Sequence, residues 1–166
     1  MPDLAITQRF ESIVNSGEGD PASLARAAKQ GDMQAAADLA ALLARAGFVE
    51  PDLIMDVYDA AAAGWFGEQH PPVDLTRGGG KASPALWTPF WDFIDDMVKT
   101  DPGTFTLRTA ALGDHVEDGF RQRAGRASLA YPGVPAAVAQ GWPERFTMEA
   151  LAKCPDGSLG NDFHRQ

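Results

Sequence analysis

Residues 32–64 have the sequence DMQAAADLAALLARAGFVEPDLIMDVYDAAAAG, and the fold class follows from this stretch. Asp32 is a favoured N-cap residue, and the apolar residues after it recur at intervals of three and four, which is the spacing of one helix face. Gly47 interrupts this pattern and is a favoured helix terminator. The first half of the stretch therefore predicts a helix over 32–46.

The second half restarts a helix at Pro51, because proline is favoured at the first helical position. Apolar residues again follow at helical spacing, and Gly64 is the natural C-cap, so a helix is predicted over 51–63. Upstream, an Asp-Pro pair gives the same start signal for a helix over 21–30. Successive helices with short connections are typical of helical hairpins and predict an all-α fold.

Downstream, residues 64–83 contain a Pro-Pro pair and three consecutive glycines, which predict an irregular and mobile loop. A Ser-Pro pair then starts a helix over 84–99, whose apolar side chains cover too wide an arc to be buried by one neighbouring helix. Such an arc is typical of a core helix, and the alternative is a pocket for an isoprenoid tail. The residues of this arc are Leu86, Trp87, Phe90, Trp91, Phe93, Ile94, Met97 and Val98.

The remaining chain predicts a helix over 108–124, from its alanines, carboxylates and arginines. Prolines and glycines then break 131–143 into short turns, and Thr147 is expected to cap a short helix over 147–153. The chain is thus predicted to be an irregular, all-α single domain of about six helices over 1–166, with long Pro- and Gly-rich connections.

Charge limits the classes of partner. The 166 residues include 23 acidic and 14 basic ones, and the resulting net charge of -9 repels phosphates, so nucleic-acid binding is not expected. One stretch, 121–153, is net positive, which indicates either charges that complement a helix C-terminus or a contact with an anionic ligand. Its basic residues are Arg121, Arg123, Arg126, Arg145 and Lys153.

Cysteine and histidine usage predicts no metal site. Cys154 is the only cysteine, so a cysteine-based zinc site is excluded and a reducing compartment such as the cytoplasm is expected. His70, His115 and His164 are too far apart to place two imidazoles on one helix face. His115 lies in the carboxylate-rich segment GDHVED, which indicates either a solvated acidic surface or part of a general acid/base site. No apolar run is long enough to span a bilayer, so membrane association is expected to be at most peripheral.

The segment LAKCPDGSLGNDF, at 151–163, contains Pro-x-Gly-Ser-Leu-Gly followed, after two further residues, by an aromatic. Its Pro-Asp-Gly triplet predicts a turn, its serine can cap a helix, and the chain after the last glycine can begin that helix. The segment resembles the signature of the Coq4 family of ubiquinone-biosynthesis proteins, and similarity to bacterial members with a longer N-terminus extends over 129–166. The matching residues are Pro155, Gly157, Ser158, Leu159, Gly160 and Phe163.

The resemblance implies an all-helical protein that handles a polyprenyl-benzoate intermediate. The family reaction it implies is oxidative decarboxylation at the ring carbon C1, carried out with other ubiquinone-biosynthesis proteins at the inner face of the membrane. Full-length members are expected to use a divalent metal, zinc in particular, held by His-Asp-x-x-His and by a glutamate that follows after eleven intervening residues. No histidine here begins that motif, so no metal ligand or catalytic residue is assigned and no cofactor is expected in this chain.

The chain is accordingly expected to be the N-terminal portion of a Coq4-like protein, and to be inactive alone. Two other functions stay open. One is a non-enzymatic helical scaffold that docks a partner through the helix over 84–99. The other is an isoprenoid-binding module without chemistry.

Overall fold

The computed structural model describes residues 4–97, 109, 111–141, 147–158, 160–161 and 165. The chain divides into two compact units, residues 1–131 and residues 132–166. Every regular element within the described residues is a helix, which confirms the all-α class. The helices of the first unit are α1 (Leu4–Ser16), α2 (Pro21–Lys29), α3 (Met33–Phe48), α4 (Ile54–Phe66), α5 (Trp87–Met97) and α6 (Phe120–Ala130). Those of the second are α7 (Val134–Gln140) and α8 (Met148–Ala152).

Local capping signals locate several helix starts. The carboxylate of Asp20 accepts a hydrogen bond from the Ser23 amide at 3.0 Å, and that of Asp32 accepts from the amides that open α3. The hydroxyl of Thr147 accepts from the Ala150 amide at 3.2 Å. Short 3-10 turns at Pro51–Leu53 and Pro84–Leu86 lead into α4 and α5. The helices predicted over 21–30, 32–46, 51–63, 84–99 and 147–153 are therefore confirmed within a few residues at each described end.

Two glycines that predicted helix ends lie inside helices. Gly47 is followed by one more residue of α3, and Gly64 lies within α4, whose left-handed C-cap is Gly67 at φ +81°. Gly64 is instead a packing residue, because a Cβ there would overlap the backbone of Ala22 in α2. The two helices can approach closely only through a glycine at this position.

Other differences from the predicted helices lie before residue 20 and after residue 107. The helix α1 was not predicted at all. The single helix predicted over 108–124 is wrong, since 113–119 form turns and α6 begins only after Gly119, at φ +82°. The predicted run of turns over 131–143 is interrupted by α7. The end of the helix predicted over 84–99 lies outside the described residues.

The core of the first unit joins α1, α3 and α5. Phe90 is only 6% exposed, and its ring stacks on Phe10 of α1 with 5.3 Å between centroids. Phe48 of α3 meets the same ring edge-on at 6.0 Å. Trp87 and Trp91 are partly buried against this core. The core interpretation of the aromatic helix is confirmed for most of its arc, since Leu86 and Phe90 are buried and the other described members except Met97 pack partly against the core. Met97 is 42% exposed, and Val98 lies outside the described residues.

Candidate functional site

The segment that resembles the Coq4 signature lies in the second unit, and its described part forms the predicted turn. The Ser158 amide donates to the Pro155 carbonyl at 3.0 Å, and Gly157 has φ +77°. The Ser158 hydroxyl accepts from the Asn161 amide at 3.3 Å, and residues 160–161 are helical. The turn, the serine cap and the helix start expected from the sequence are confirmed.

Gly160 and Asn161 complete this turn against Cys154. A Cβ at Gly160 would lie 2.8 Å from the Cys154 sulfur, which is closer than normal packing tolerates. Asn161 is buried, with 6% of its surface exposed, and its Nδ2 donates to the Cys154 carbonyl at 3.2 Å. Leu159 and Phe163, also matched to the family, lie outside the described residues. The described family residues therefore build a backbone turn rather than a set of converging catalytic groups.

In the first unit, α1 and α5 form the sides of a groove of about 350 Å³, which we call the α1–α5 groove. Two half-buried indoles, Trp87 and Trp91, lie one helical turn apart in it. The Trp91 indole N–H donates to the Glu11 carboxylate at 2.8 Å and so fixes both side chains. Asp92 and Asp95 also line the groove, and no basic side chain does among the described residues.

A smaller groove of about 200 Å³ lies beyond Asp92 and contains His115. The structure brings His115 near Asp92 and Asp96 of α5, which sequence spacing could not indicate. Two of the carboxylates near His115 in sequence pair with arginines, Asp114 with Arg121 at 2.8 Å and Glu117 with Arg123 at 3.5 Å. The location of His115 in a groove supports its interpretation as part of an acid/base site. Among the described residues, however, no side-chain hydrogen bond orients its imidazole.

Two of the three described arginines of the basic stretch in the first unit are engaged in other contacts. Arg123 donates to the Val49 carbonyl at 3.2 Å and lies 3.9 Å from the Glu50 carboxylate and 3.5 Å from that of Glu117. With Arg121 also paired, the interpretation as an anionic-ligand contact loses its two central residues. Arg126 is exposed on α6, Lys153 belongs to the second unit, and Arg145 lies outside the described residues.

A buried polar cluster organises the loop after α4, and sequence inspection missed it. Arg45 is 1% exposed, and its guanidinium donates to four backbone carbonyls, two of them in the loop. Burial lowers the pKa of Arg45, and the nearby Glu50 carboxylate opposes that shift. The Glu50 carboxylate accepts from the Gly80 amide, and a Cβ at Gly78 would collide with it. The triple glycine is therefore a close-approach site rather than a simple flexible connector.

Metal-ligand geometry is not found in the part of the chain that is described, where no three His, Cys, Asp or Glu side chains converge. His70 contacts the Pro71 carbonyl through Nδ1 at 2.7 Å, and His164 lies outside the described residues. Within the same described ranges, no helix combines the length and apolar character required to cross a bilayer.

Comparison with protein-family models, curated proteins and solved structures finds no match to this chain. The case for a family therefore depends on the signature-like turn and its geometry.

Proposed function

We propose that this chain is a Coq4-like protein of ubiquinone biosynthesis that acts on or organises a polyprenyl-benzoate intermediate. The turn at Pro155–Asn161 carries this proposal, because three matched residues have distinct and demanding roles in it. Gly157 takes a positive φ, Ser158 caps the next helix, and Gly160 permits contact with Cys154. Three of the six matched residues therefore have a role in the geometry of the turn, which supports the resemblance beyond sequence identity alone.

The chemistry implied by the resemblance is metal-assisted decarboxylation at C1 of the ring. The described residues offer no three-ligand set that fits a divalent metal, so no step of that reaction is assigned to them. The proposed role of this chain is to bind or position the intermediate and to associate with other ubiquinone-biosynthesis proteins. Peripheral association with the cytoplasmic face of the membrane, where a polyprenylated substrate resides, belongs to the same proposal.

Gene deletion in the native host tests this proposal. Lipid extracts analysed by mass spectrometry are expected to show less ubiquinone and an accumulated polyprenylated ring that still carries its carboxylate. Re-expression of the wild-type gene should restore ubiquinone, whereas Gly157→Val, which cannot easily adopt the positive φ, should restore less. Val138→Ala, at an exposed position of α7, is the matched control. Unchanged ubiquinone after deletion would refute the proposal.

A non-enzymatic scaffold is the second candidate, and the α1–α5 groove favours it. Half-buried tryptophans in a concave surface are typical of protein-docking sites. An isoprenoid-binding module built on the same helix is less well supported. Phe90 is buried in the core and is not available to contact a ligand. Carboxylates line the groove, so binding an apolar tail there would require removing water from charged groups, which is unfavourable. A scaffold without a role in quinone synthesis predicts normal ubiquinone in the deletion strain.

A further inference from the structure

We propose that the α1–α5 groove docks an extended segment of a partner protein through two or more of its arginine or lysine side chains. The inference does not depend on the Coq4 resemblance. Acidic side chains on a helix surface are common and do not by themselves indicate a binding site. In the α1–α5 groove, however, they lie beside two indole rings that also line it. Glu11 and Asp92 supply the charge, and the rings of Trp87 and Trp91 supply the aromatic surface.

Indole faces and carboxylates favour the same kind of ligand. A guanidinium or ammonium group is attracted to the face of a tryptophan, and it also pairs with a carboxylate. The chain already uses this contact elsewhere, since Lys29 Nζ lies 5.9 Å from the ring centroid of Trp65. Among the described residues no cation lies over Trp87 or Trp91, and no basic side chain lines the groove.

The groove is held in shape before any ligand binds. The Trp91 indole N–H donates to Glu11 at 2.8 Å, so the α1 carboxylate is oriented by an α5 side chain. Phe10 packs edge-on against the Trp91 ring at 5.2 Å and supports it from the core side. A preformed pocket reduces the entropy lost on binding, which makes these half-buried tryptophans suitable anchors.

The length of the groove favours a peptide over a small cation. The lining residues of α5 run from Trp87 to Asp95, a rise of about 12 Å along the helix. An extended peptide covers that distance with about four residues, and alternate side chains point to the same side. A single quaternary ammonium would contact only one part of this length. A second copy of the chain is a poor occupant, because each copy carries a net charge of -9 and two copies therefore repel each other.

The test uses the full chain and a fluorescently labelled eight-residue peptide that alternates arginine with glycine, followed by anisotropy. The same peptide with citrulline in place of arginine is the neutral control. Binding of the arginine peptide is expected, with weakening as salt is raised. Glu11→Gln combined with Asp92→Asn should weaken binding about tenfold or more. Trp91→Phe, which keeps an aromatic ring but removes the donor to Glu11, should weaken it by a smaller factor.

A matched charge control separates the groove from the overall acidity of the protein. Asp52→Asn combined with Glu68→Gln removes two exposed carboxylates that do not line the groove, and it should leave the affinity unchanged. Circular dichroism verifies that every variant is folded. Equal loss of affinity in both double variants would overturn the proposal, as would no binding up to about 1 mM peptide. Displacement of the peptide by tetramethylammonium at equal concentration would overturn the peptide occupant in favour of a small cation.

Discussion

Arg45 is the buried residue whose replacement is expected to destabilise the first unit most clearly through lost hydrogen bonds. Its Nη1 donates to the carbonyls of Val14, Asn15 and Gly80 at 2.7, 3.2 and 3.2 Å, and its Nε donates to that of Leu75 at 3.0 Å. Arg45→Met keeps much of the aliphatic stem and removes every donor. The end of α1 and the loop after α4 would then lose their common tie to α3.

The size of the effect follows from the number of acceptors left without a donor. A buried polar group that loses its partner costs about 1–3 kcal/mol, and four carbonyls are involved, of which some will recover a water. We therefore expect a loss of about 3–5 kcal/mol in the free energy of unfolding. Domains have only about 5–15 kcal/mol in total, so this is a substantial fraction. The melting temperature should fall by roughly 10 °C.

Urea denaturation followed by far-UV circular dichroism measures this change, and two variants serve as controls. Arg45→Lys keeps the charge but replaces the planar fork with a single ammonium, so an intermediate loss is expected. Arg121→Met removes an exposed arginine whose partner Asp114 is also exposed, and its effect should be much smaller. If Arg45→Met changes the free energy of unfolding by less than about 0.5 kcal/mol, the buried cluster does not stabilise the loop as argued.

Gly64→Ala is expected to lower the free energy of unfolding by about 3 kcal/mol or more, because the new Cβ would overlap the backbone of α2. Urea denaturation measures this change, and a loss below about 1 kcal/mol would contradict the close approach of the two helices. Gly160→Ala should speed amide hydrogen exchange across the signature turn, because the new methyl group would collide with the Cys154 sulfur. Adding Cys154→Ala to the same chain removes that sulfur and should reverse the change. If exchange stays fast, the contact with Cys154 is not the cause. The hydrogen bond from Arg9 lowers the pKa of Asp38, so this carboxylate stabilises the fold above its unfolded pKa of about 3.9. Asp38→Asn should therefore lower the denaturation midpoint at neutral pH, with the difference from wild type vanishing as the pH falls through the lowered pKa.

Helix starts were predictable because their signals are local. An aspartate or threonine cap and the amides it binds lie within three residues, as at Asp20, Asp32 and Thr147. The helix α1 was missed because its stabilisation comes from elsewhere in the chain, through Phe10 against α5 and Val14 in the core. Tertiary packing, rather than propensity, supplies most of the stability of such a helix.

The functional features, like the helices, were predictable only where their contacts join residues close in sequence. The signature turn at 155–161 was predictable as far as it is described, since each contact in it spans seven residues or fewer. The α1–α5 groove was not predictable, because the hydrogen bond between Glu11 and Trp91 joins residues 80 positions apart. Arg45 gave no sequence signal either, as its acceptors are backbone carbonyls and carry no side-chain identity.

Gly47 and Gly64 show why a helix terminator cannot be identified from its residue type alone. Both follow a run of apolar residues, and both lie inside their helices rather than after them. A Cβ at Gly47 would meet no atom within 4 Å, whereas one at Gly64 would overlap the backbone of Ala22. Gly47→Ala is therefore the matched control for Gly64→Ala and should raise stability by about 0.5–1 kcal/mol through helix propensity. If the free energy of unfolding rises for Gly47→Ala and falls for Gly64→Ala, packing against α2, and not local backbone preference, requires the glycine in α4.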